Sequence, residues 1–178
     1  GSGGLARALA GEAQLRCDTT VAGPALGLFG SDQQTTMRQL AACGMAWQRI
    51  ADASDAPRVR RQMEAGAVLA SVALPDGTPR ADAARRIAET FADLLHALPR
   101  PGTLIVAGGE TLRAVCDALG AEGLVATGLV MPGVPRSVLQ GGVWDGLTVI
   151  SKSGGFGGDA LWRDLLAANH LPRGSLAA

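Results

Sequence analysis

The chain has 178 residues, of which 47% are hydrophobic and 18% are charged, so it can bury a core and is not a disordered segment. Its sixteen basic residues balance sixteen acidic ones without a basic block, which argues against nucleic acid as the main partner. No apolar run approaches the roughly 18 residues of a membrane span, and no secretory signal pattern is visible. The three cysteines match no metal or disulfide spacing, so reduced thiols in a cytoplasmic protein are expected.

Strand-like and helix-like segments alternate in the first part of the chain. Apolar runs predict strands at 25–29, 47–50 and 67–74, and the patterns between them predict helices at 4–16, after Asp32, at 56–65 and from 79 to about 98. In the helix after Asp32, the side chains of Met37, Leu40 and Ala41 are expected to share the buried face. Thr78 is expected to cap the helix that Pro79 opens.

The second part of the chain begins in the same way and then changes. Residues 103–107 predict a strand that leads into a helix closed by Gly120. Short strands are predicted at 124–126, 136–139 and 147–150, and a helix at 159–168 follows them. Alternation of strands and helices implies parallel βαβ units. The predicted fold is therefore α/β, a three-layer, mostly parallel sheet with crossover helices and a C-terminal β-meander.

The stretch from Lys152 to Gly158 contains four glycines and lies between a predicted strand and a predicted helix. Glycine lets backbone N–H groups approach a ligand, and a helix start adds unpaired N–H groups and the positive end of the helix dipole. Lys152 is expected to supply a mobile cation that reaches a phosphate. The alternative is a tight, glycine-rich surface turn.

Two other predicted strands also end in small or hydroxyl residues, at Gly30-Ser31 and at Gly108 to Thr111. Ligands of open α/β sheets bind in the crevice beyond the carboxyl ends of the strands. If the three strands are neighbours, their loops line one crevice of N–H and hydroxyl donors, which suits a polyphosphate. Each loop alone can be explained by the tight turns of an α/β protein.

Two common phosphate-binding motifs do not account for these loops. The sequence has no Gly-x-x-x-x-Gly-Lys-Ser/Thr motif. Residues 155–160 fit the form Gly-x-Gly-x-x-Ala, but the dinucleotide fingerprint requires a further strand with an acidic residue, and residues 161–178 predict none.

The motifs at 152–157, 132–135 and 108–111, in that arrangement, resemble the C-terminal nucleotide-binding domain of the four-carbon acid sugar kinases. Gly30-Ser31 followed by Thr36 and Gln39 resembles that family's first motif, and residues 3–6 resemble the segment where the family's chain enters this domain. The resemblance implies ATP-dependent phosphorylation of the terminal hydroxyl of sugar acids such as threonate, erythronate or their 3-oxo forms. It also implies that 1–178 is a single nucleotide-binding domain, the C-terminal half of a longer kinase, and that the sugar acid is held mainly by a separate N-terminal domain absent here.

The resemblance further implies which residues bind ATP. They are Ser31, Gly108, Gly109, Glu110, Thr111, Lys152, Ser153, Gly154, Gly155 and Gly157. Glu110 and Asp159 are the carboxylates best placed for Mg²⁺, although each could instead only favour its helix start. No catalytic residue is assigned, since the base for the sugar hydroxyl is expected in the absent domain. A homodimer is a possible assembly.

The chain departs from the family pattern at several positions in or near the loops, among them Gly155, where asparagine is common, and Gln33, where a small residue is common. Leu112 stands where the family usually has serine, which would remove a hydroxyl donor, and Asp32 stands where a small residue is common. Two function classes therefore remain open. One is the ATP-binding domain of a kinase, inactive without its other half. The other is a nucleotide- or small-ligand-binding module that keeps only the fold.

Overall fold

The computed structural model describes residues 17–171, so the helix predicted at 4–16 lies outside the described residues. The described residues form one seven-stranded sheet in the order β2-β3-β1-β4-β7-β6-β5. Its strands are β1 (Ala25–Phe29), β2 (Trp47–Ile50), β3 (Ala67–Val72), β4 (Thr103–Ala107), β5 (Gly123–Met131), β6 (Val134–Gln140) and β7 (Thr148–Lys152).

Five α-helices connect or follow these strands in the described part of the chain. They are α1 (Gln34–Ala42), α2 (Ala56–Glu64), α3 (Arg80–Ala97), α4 (Gly109–Leu119) and α5 (Leu161–Ala168). None of the helices in residues 17–171 combines the length and the apolar character that crossing a membrane requires.

The sheet is mostly parallel, and the predicted fold class is confirmed. Strand β3 pairs in parallel with β1 and β2, and β4 pairs in parallel with β1 and β7. Strands β5, β6 and β7 form an antiparallel meander. Because β7 runs parallel to β4, the meander extends the sheet and does not form a separate unit.

Side chains alternate between the two faces of the sheet, as the period of a strand requires. In β4, Leu104 and Val106 join the core beneath α2, α3 and α4, whereas Ile105 and Ala107 join the core beneath α1 and α5. The nearly continuous apolar runs of β1 and β4 are thus explained, because both strands are covered by helices on both faces. The structure has the predicted three layers.

Three local predictions are wrong. Thr78 does not cap α3: the N-cap residue is Pro79, and the Thr78 hydroxyl donates to the Pro75 carbonyl at 2.6 Å. Helix α1 buries Thr36, Gln39 and Leu40 and leaves Ala41 exposed. Strand β5 is longer than the predicted 124–126, and only a two-residue turn separates it from β6.

Candidate functional site

The three strand-end loops lie side by side at the carboxyl ends of the central parallel strands. Their strands β1, β4 and β7 are adjacent, and the register aligns Phe29 with Ala107 and Ala107 with Lys152. Backbone hydrogen bonds continue this alignment past the strand ends, from Gly30 N to Ala107 O (3.2 Å) and from Gly108 N to Lys152 O (3.0 Å). The sequence-predicted juxtaposition of the three loops is therefore observed.

The loops after β1 and β4 pack around the buried side chain of Thr111. A β-carbon on Gly30 would overlap Thr111 Oγ1 and lie 2.9 Å from Ile87 Cγ2. Gly108 has a φ of 112° and a β-carbon there would lie 3.0 Å from Thr111 Oγ1. Glycine is needed at both positions, for space at one and for backbone conformation at the other. Thr111 thus joins the two loops and does not stand free in the crevice.

The loop after β7 packs against the loop after β1. A β-carbon on Gly154 would overlap Ser31 Oγ and would lie 3.0 Å from Gln33 Cδ. Ser31 Oγ also accepts a hydrogen bond from the Gln33 backbone N–H at 3.3 Å. Gly154 is buried, whereas the neighbouring Ser153 and Gly155 are exposed. The third loop therefore presents an exposed outer side and rests on Ser31 with its inner side.

Lys152 does not extend into solvent. Its side chain is only 4% exposed, and Nζ donates to the carbonyls of Ser153 and Gly154, both at 3.0 Å. Burial lowers the pKa of Lys152 to about 8, because the ammonium loses hydration. None of the ion pairs in residues 17–171 includes this lysine. The expectation of a mobile cation is wrong, and the charge lies beneath the loop instead.

Two buried side chains of α1 hold the same loop. Thr36 Oγ1 donates to the Gly154 carbonyl at 3.0 Å. Gln39 Nε2 donates to the carbonyls of Phe156, Gly157 and Gly158 at 2.9, 3.2 and 3.0 Å. The sequence indicated these two residues only as part of a family motif. The signal that could have revealed more was the presence of two polar residues on the face of α1 shared with Leu40.

The N-terminus of α4 adds donors to the crevice. Its N-cap residue, Gly108, supplies no side-chain hydrogen bond, and Gly109 and Glu110 are exposed. The first N–H groups of a helix have no partner within the helix, and they carry the positive end of its dipole. A β-carbon on Gly109 would meet no heavy atom within 4 Å, so the backbone here is open to a ligand.

The carboxylates near the crevice do not form a metal centre by themselves. Asp159 accepts from Arg38 Nε with both oxygens, at 3.0 and 3.1 Å, and both side chains are largely exposed. Glu110 is exposed in the first turn of α4. Between Cys17 and Leu171, no group of three or more His, Cys, Asp or Glu side chains could hold a metal ion. A Mg²⁺ ion would have to be held mainly by the phosphates of a nucleotide, as is common for this ion.

Two hydrophobic residues near the loops point into the cores. Leu112, where the family pattern has serine, packs against the core beneath α2, α3 and α4. Trp162 is fully buried, and its ring meets that of Phe29 edge to face with centroids 5.7 Å apart. Neither side chain lines the crevice, so Leu112 does not replace a crevice hydroxyl and Trp162 does not border a bound base.

An apolar cavity borders the end of the loop after β7. It has a volume of about 450 Å³, lies between the end of β5 and helix α5, and meets the glycine-rich loop at Gly158. Val130, Met131, Leu161 and Leu165 supply much of its lining.

The crevice, its glycine turns and the doubly covered sheet define an α/β domain suited to a phosphorylated ligand. Residues 26–161 match the family described as nucleotide-binding C-terminal domain. The chain belongs to this family, the C-terminal domain of the four-carbon acid sugar kinases, and the resemblance seen in the sequence is confirmed.

Two curated relatives are D-threonate kinases. The chain is 31% identical over 175 residues to the enzyme of Bordetella bronchiseptica, a match that covers 88% of this chain and 42% of the relative. It is 42% identical over 67 residues to the enzyme of Salmonella typhimurium, covering 38% of this chain and 16% of the relative. The chain therefore spans less than half the length of these relatives.

Solved structures share the fold. A domain of unknown function from Bordetella bronchiseptica, a domain-swapped dimer with bound citrate, is similar with a TM-score of 0.64 and 29% identity, over 83% of this chain and 41% of that one. A Salmonella typhimurium LT2 protein gives a TM-score of 0.68 at 24% identity, over 95% of this chain and 45% of that one. The second likeness concerns the fold alone.

Proposed function

We propose that this chain is the ATP-binding part of a kinase that phosphorylates the terminal hydroxyl of a four-carbon sugar acid of the threonate type. The observation that carries the proposal is the meeting of three loops, after β1, β4 and β7, at the uncapped start of α4. Gly109, where a β-carbon would meet no heavy atom within 4 Å, leaves room for a close approach of phosphate, and Lys152 places a positive charge beneath the loop after β7. The family and the names of the curated relatives support the same activity.

The chain's part in the reaction is to bind and orient the nucleotide. Backbone N–H groups of the α4 start and of the loop after β7 would hold the phosphate oxygens, while the charge of Lys152 favours their negative charge. Phosphoryl transfer depends mainly on positioning and on charge stabilisation, so such donors suffice as the chain's contribution. Mg²⁺ bound to the phosphates would neutralise part of their charge. The base for the sugar hydroxyl would come from the other domain.

The same proposal covers the organisation of the whole protein. Residues 1–178 would be one nucleotide-binding domain, and a second, N-terminal domain would hold the sugar acid. A homodimer is proposed as the assembly, since the structural relative with bound citrate is a domain-swapped dimer. The cytoplasm, where ATP is available, is the proposed location.

The second candidate is a binding module without catalytic function. Asp32 favours it, because an exposed carboxylate beside the Ser31 loop would repel phosphate unless a cation intervenes. Leu112 does not favour it, because that side chain packs against the core.

Thermal unfolding with Mg-ATP, NAD or no ligand tests nucleotide binding. A ligand present at about 100 times its Kd should stabilise the fold by roughly 2.7 kcal/mol, which raises the Tm. We expect the rise with Mg-ATP and not with NAD. An unchanged Tm at millimolar Mg-ATP would favour a module with another ligand.

Activity assays test the division of labour. The 178-residue chain alone is expected to phosphorylate neither threonate nor erythronate, whereas a protein that also contains the N-terminal domain should do so. Turnover by the purified chain, above that of a preparation carrying the Gly154→Val substitution, would show that the sugar acid binds to this domain.

A further inference from the structure

The loop after β7 has its carbonyls turned towards the protein. Five of them, those of Ser153, Gly154, Phe156, Gly157 and Gly158, accept hydrogen bonds from side chains. The donors are Lys152 beneath the loop and Thr36 and Gln39 from helix α1. Both α1 side chains are fully buried. Almost the whole loop is therefore held through its carbonyl oxygens, on the side that faces Lys152 and α1.

The N–H groups that follow these carbonyls must face the other way. In a trans peptide the C=O and N–H bonds point in opposite directions, and the cis bond in the described chain is at Gly23-Pro24. The N–H groups concerned belong to Gly154, Gly155, Gly157, Gly158 and Asp159. Within residues 17–171 none of the five donates a hydrogen bond, whereas the intervening Phe156 N–H donates to Ser153 O at 3.4 Å. The five donors form two short runs, at 154–155 and at 157–159, on either side of Phe156. N–H groups that face one side in this way form a concave anion-binding surface.

We infer that Thr36 and Gln39 are positioning residues that fix the direction of this loop, so that its N–H groups face the crevice and bind the phosphates of a nucleotide. The inference rests on the proposed function and adds residues outside the predicted site. In this arrangement helix α1 follows the loop after β1 and also binds the loop after β7. Thr36 and Gly154 are 118 residues apart in the chain.

A purely structural role fits the chemistry of these residues less well. Burying a hydroxyl or an amide is costly unless it is hydrogen-bonded, and an apolar residue would fill the same space without that cost. What an apolar residue cannot do is attract carbonyl oxygens. Without that attraction the peptide planes could turn, and carbonyl oxygens would then face the phosphate and repel it. The polar residues are thus required for the direction of the loop.

Substitutions of similar size test the inference. Thr36→Val removes the hydroxyl and Thr36→Ser keeps it, while Gln39→Glu puts an acceptor where the carbonyls need a donor. The matched controls are Thr35→Val, on the same helix, and Gln140→Glu, at the end of β6 that lies opposite to the three loops. The affinities for Mg-ATP, inorganic tripolyphosphate and adenosine are measured by calorimetry. Thr36→Val and Gln39→Glu should bind both phosphate ligands at least about tenfold more weakly, with adenosine unchanged, because only phosphate contacts are lost.

Each result decides a separate point. Normal phosphate binding by Thr36→Ser and by both controls, together with the expected losses, supports the inference. Wild-type affinity in Thr36→Val and Gln39→Glu overturns it and leaves the proposed function intact. If the wild-type protein binds neither Mg-ATP nor tripolyphosphate, both ideas fail.

A measurement on the wild-type protein covers the case in which Gln39→Glu does not fold. The amide NMR signals of Gly154, Gly155, Gly157 and Gly158 should shift when tripolyphosphate is added, and the signal of the internally bonded Phe156 N–H should shift less. Tripolyphosphate binding without shifts at these glycines would overturn the inference.

Discussion

The side-chain oxygen of Ser31 occupies the space that a β-carbon on Gly154 would need. The two residues belong to the first and the last of the three loops, and their strands are separated in the sheet by β4. Their contact therefore joins the two loops that lie on either side of the loop after β4. A substitution at either residue should therefore change the position of the loop that contains the other.

Gly154→Ala should push the loop after β7 away from Ser31. Overpacking of this kind costs roughly 1–3 kcal/mol, and the displaced N–H groups should bind ATP more weakly. In the double variant Ser31→Gly/Gly154→Ala the stability should partly recover, because the overlapping oxygen is gone. Urea unfolding of the wild type, both single variants and the double variant measures the coupling.

Gly158→Ala is the control for this series, since a β-carbon there would meet no heavy atom within 4 Å. It should not destabilise the fold, and any change should be a gain of at most about 0.4–1 kcal/mol through the unfolded chain. Simple additivity of the Ser31→Gly and Gly154→Ala effects would mean that the two loops do not constrain each other.

Gly109→Ala should have opposite effects on stability and binding. Gly109 is the first residue of α4 and its β-carbon would meet nothing, so alanine should stabilise the fold by about 0.4–1 kcal/mol through the unfolded chain. If phosphate approaches this backbone, the new methyl group should weaken Mg-ATP binding. Unfolding and calorimetry on one preparation check both signs. A variant that is more stable and binds ATP unchanged would place the phosphates away from α4.

The central strands and their loops could be predicted from the sequence because neighbouring residues mark them: a run of apolar residues forms the strand, and glycine or proline ends it. Strand β4 has the predicted bounds, since Pro101-Gly102 and Gly108-Gly109 enclose a run of apolar residues. The buried face of α1 could not be predicted by periodicity, which assumes that buried side chains are apolar. Thr36 and Gln39 are buried because they bind carbonyls far along the chain, and the spacing of apolar residues does not identify those partners.

The sequence also did not allow us to predict where β5 ends or which way the side chain of Lys152 points. Strand β5 is at the edge of the sheet, and Thr127-Gly128 interrupt its apolar residues, so no continuous apolar run marks its length. A lysine before a glycine-rich loop can extend towards a ligand or turn under the loop. The choice depends on whether carbonyls are available beneath the loop, and here they are.

Leu112→Ser introduces the residue that is usual in the family, and it should not improve ATP binding. The Leu112 side chain packs against the core, so serine there loses apolar burial and gains no contact with the crevice. Replacement of a core leucine by a small residue costs roughly 2–5 kcal/mol, and the partial burial of Leu112 places the expected loss at the lower end. Urea unfolding and ATP calorimetry measure the two effects. Tighter ATP binding by Leu112→Ser would mean that the side chain can reach the phosphates.

Lys152 should make both stability and nucleotide binding depend on pH. Burial lowers its pKa from 10.5 in the unfolded chain to about 8 in the folded one, so between these values the unfolded state binds more protons. Stability that comes from this group therefore rises with pH across that window. The contribution is complete above 10.5 and is lost as the pH falls through about 8. Lys152→Met, which cannot titrate, should lack this rise when urea unfolding is compared at intervals from pH 7 to 10.

Nucleotide binding should change in the opposite direction, because the ammonium favours phosphate and is lost as the pH rises. Wild-type affinity for ATP should fall as the pH passes about 8, and the affinity for adenosine should not. At pH 7, Lys152→Met should bind ATP more weakly by roughly 1.5–3 kcal/mol if the charge acts as a charge-assisted contact does, which is about ten- to a hundredfold. Because Nζ lies beneath the loop and bonds its carbonyls, a value near the lower end is expected. Equal affinity of the two proteins for ATP at pH 7 would show that the backbone N–H groups alone hold the phosphates.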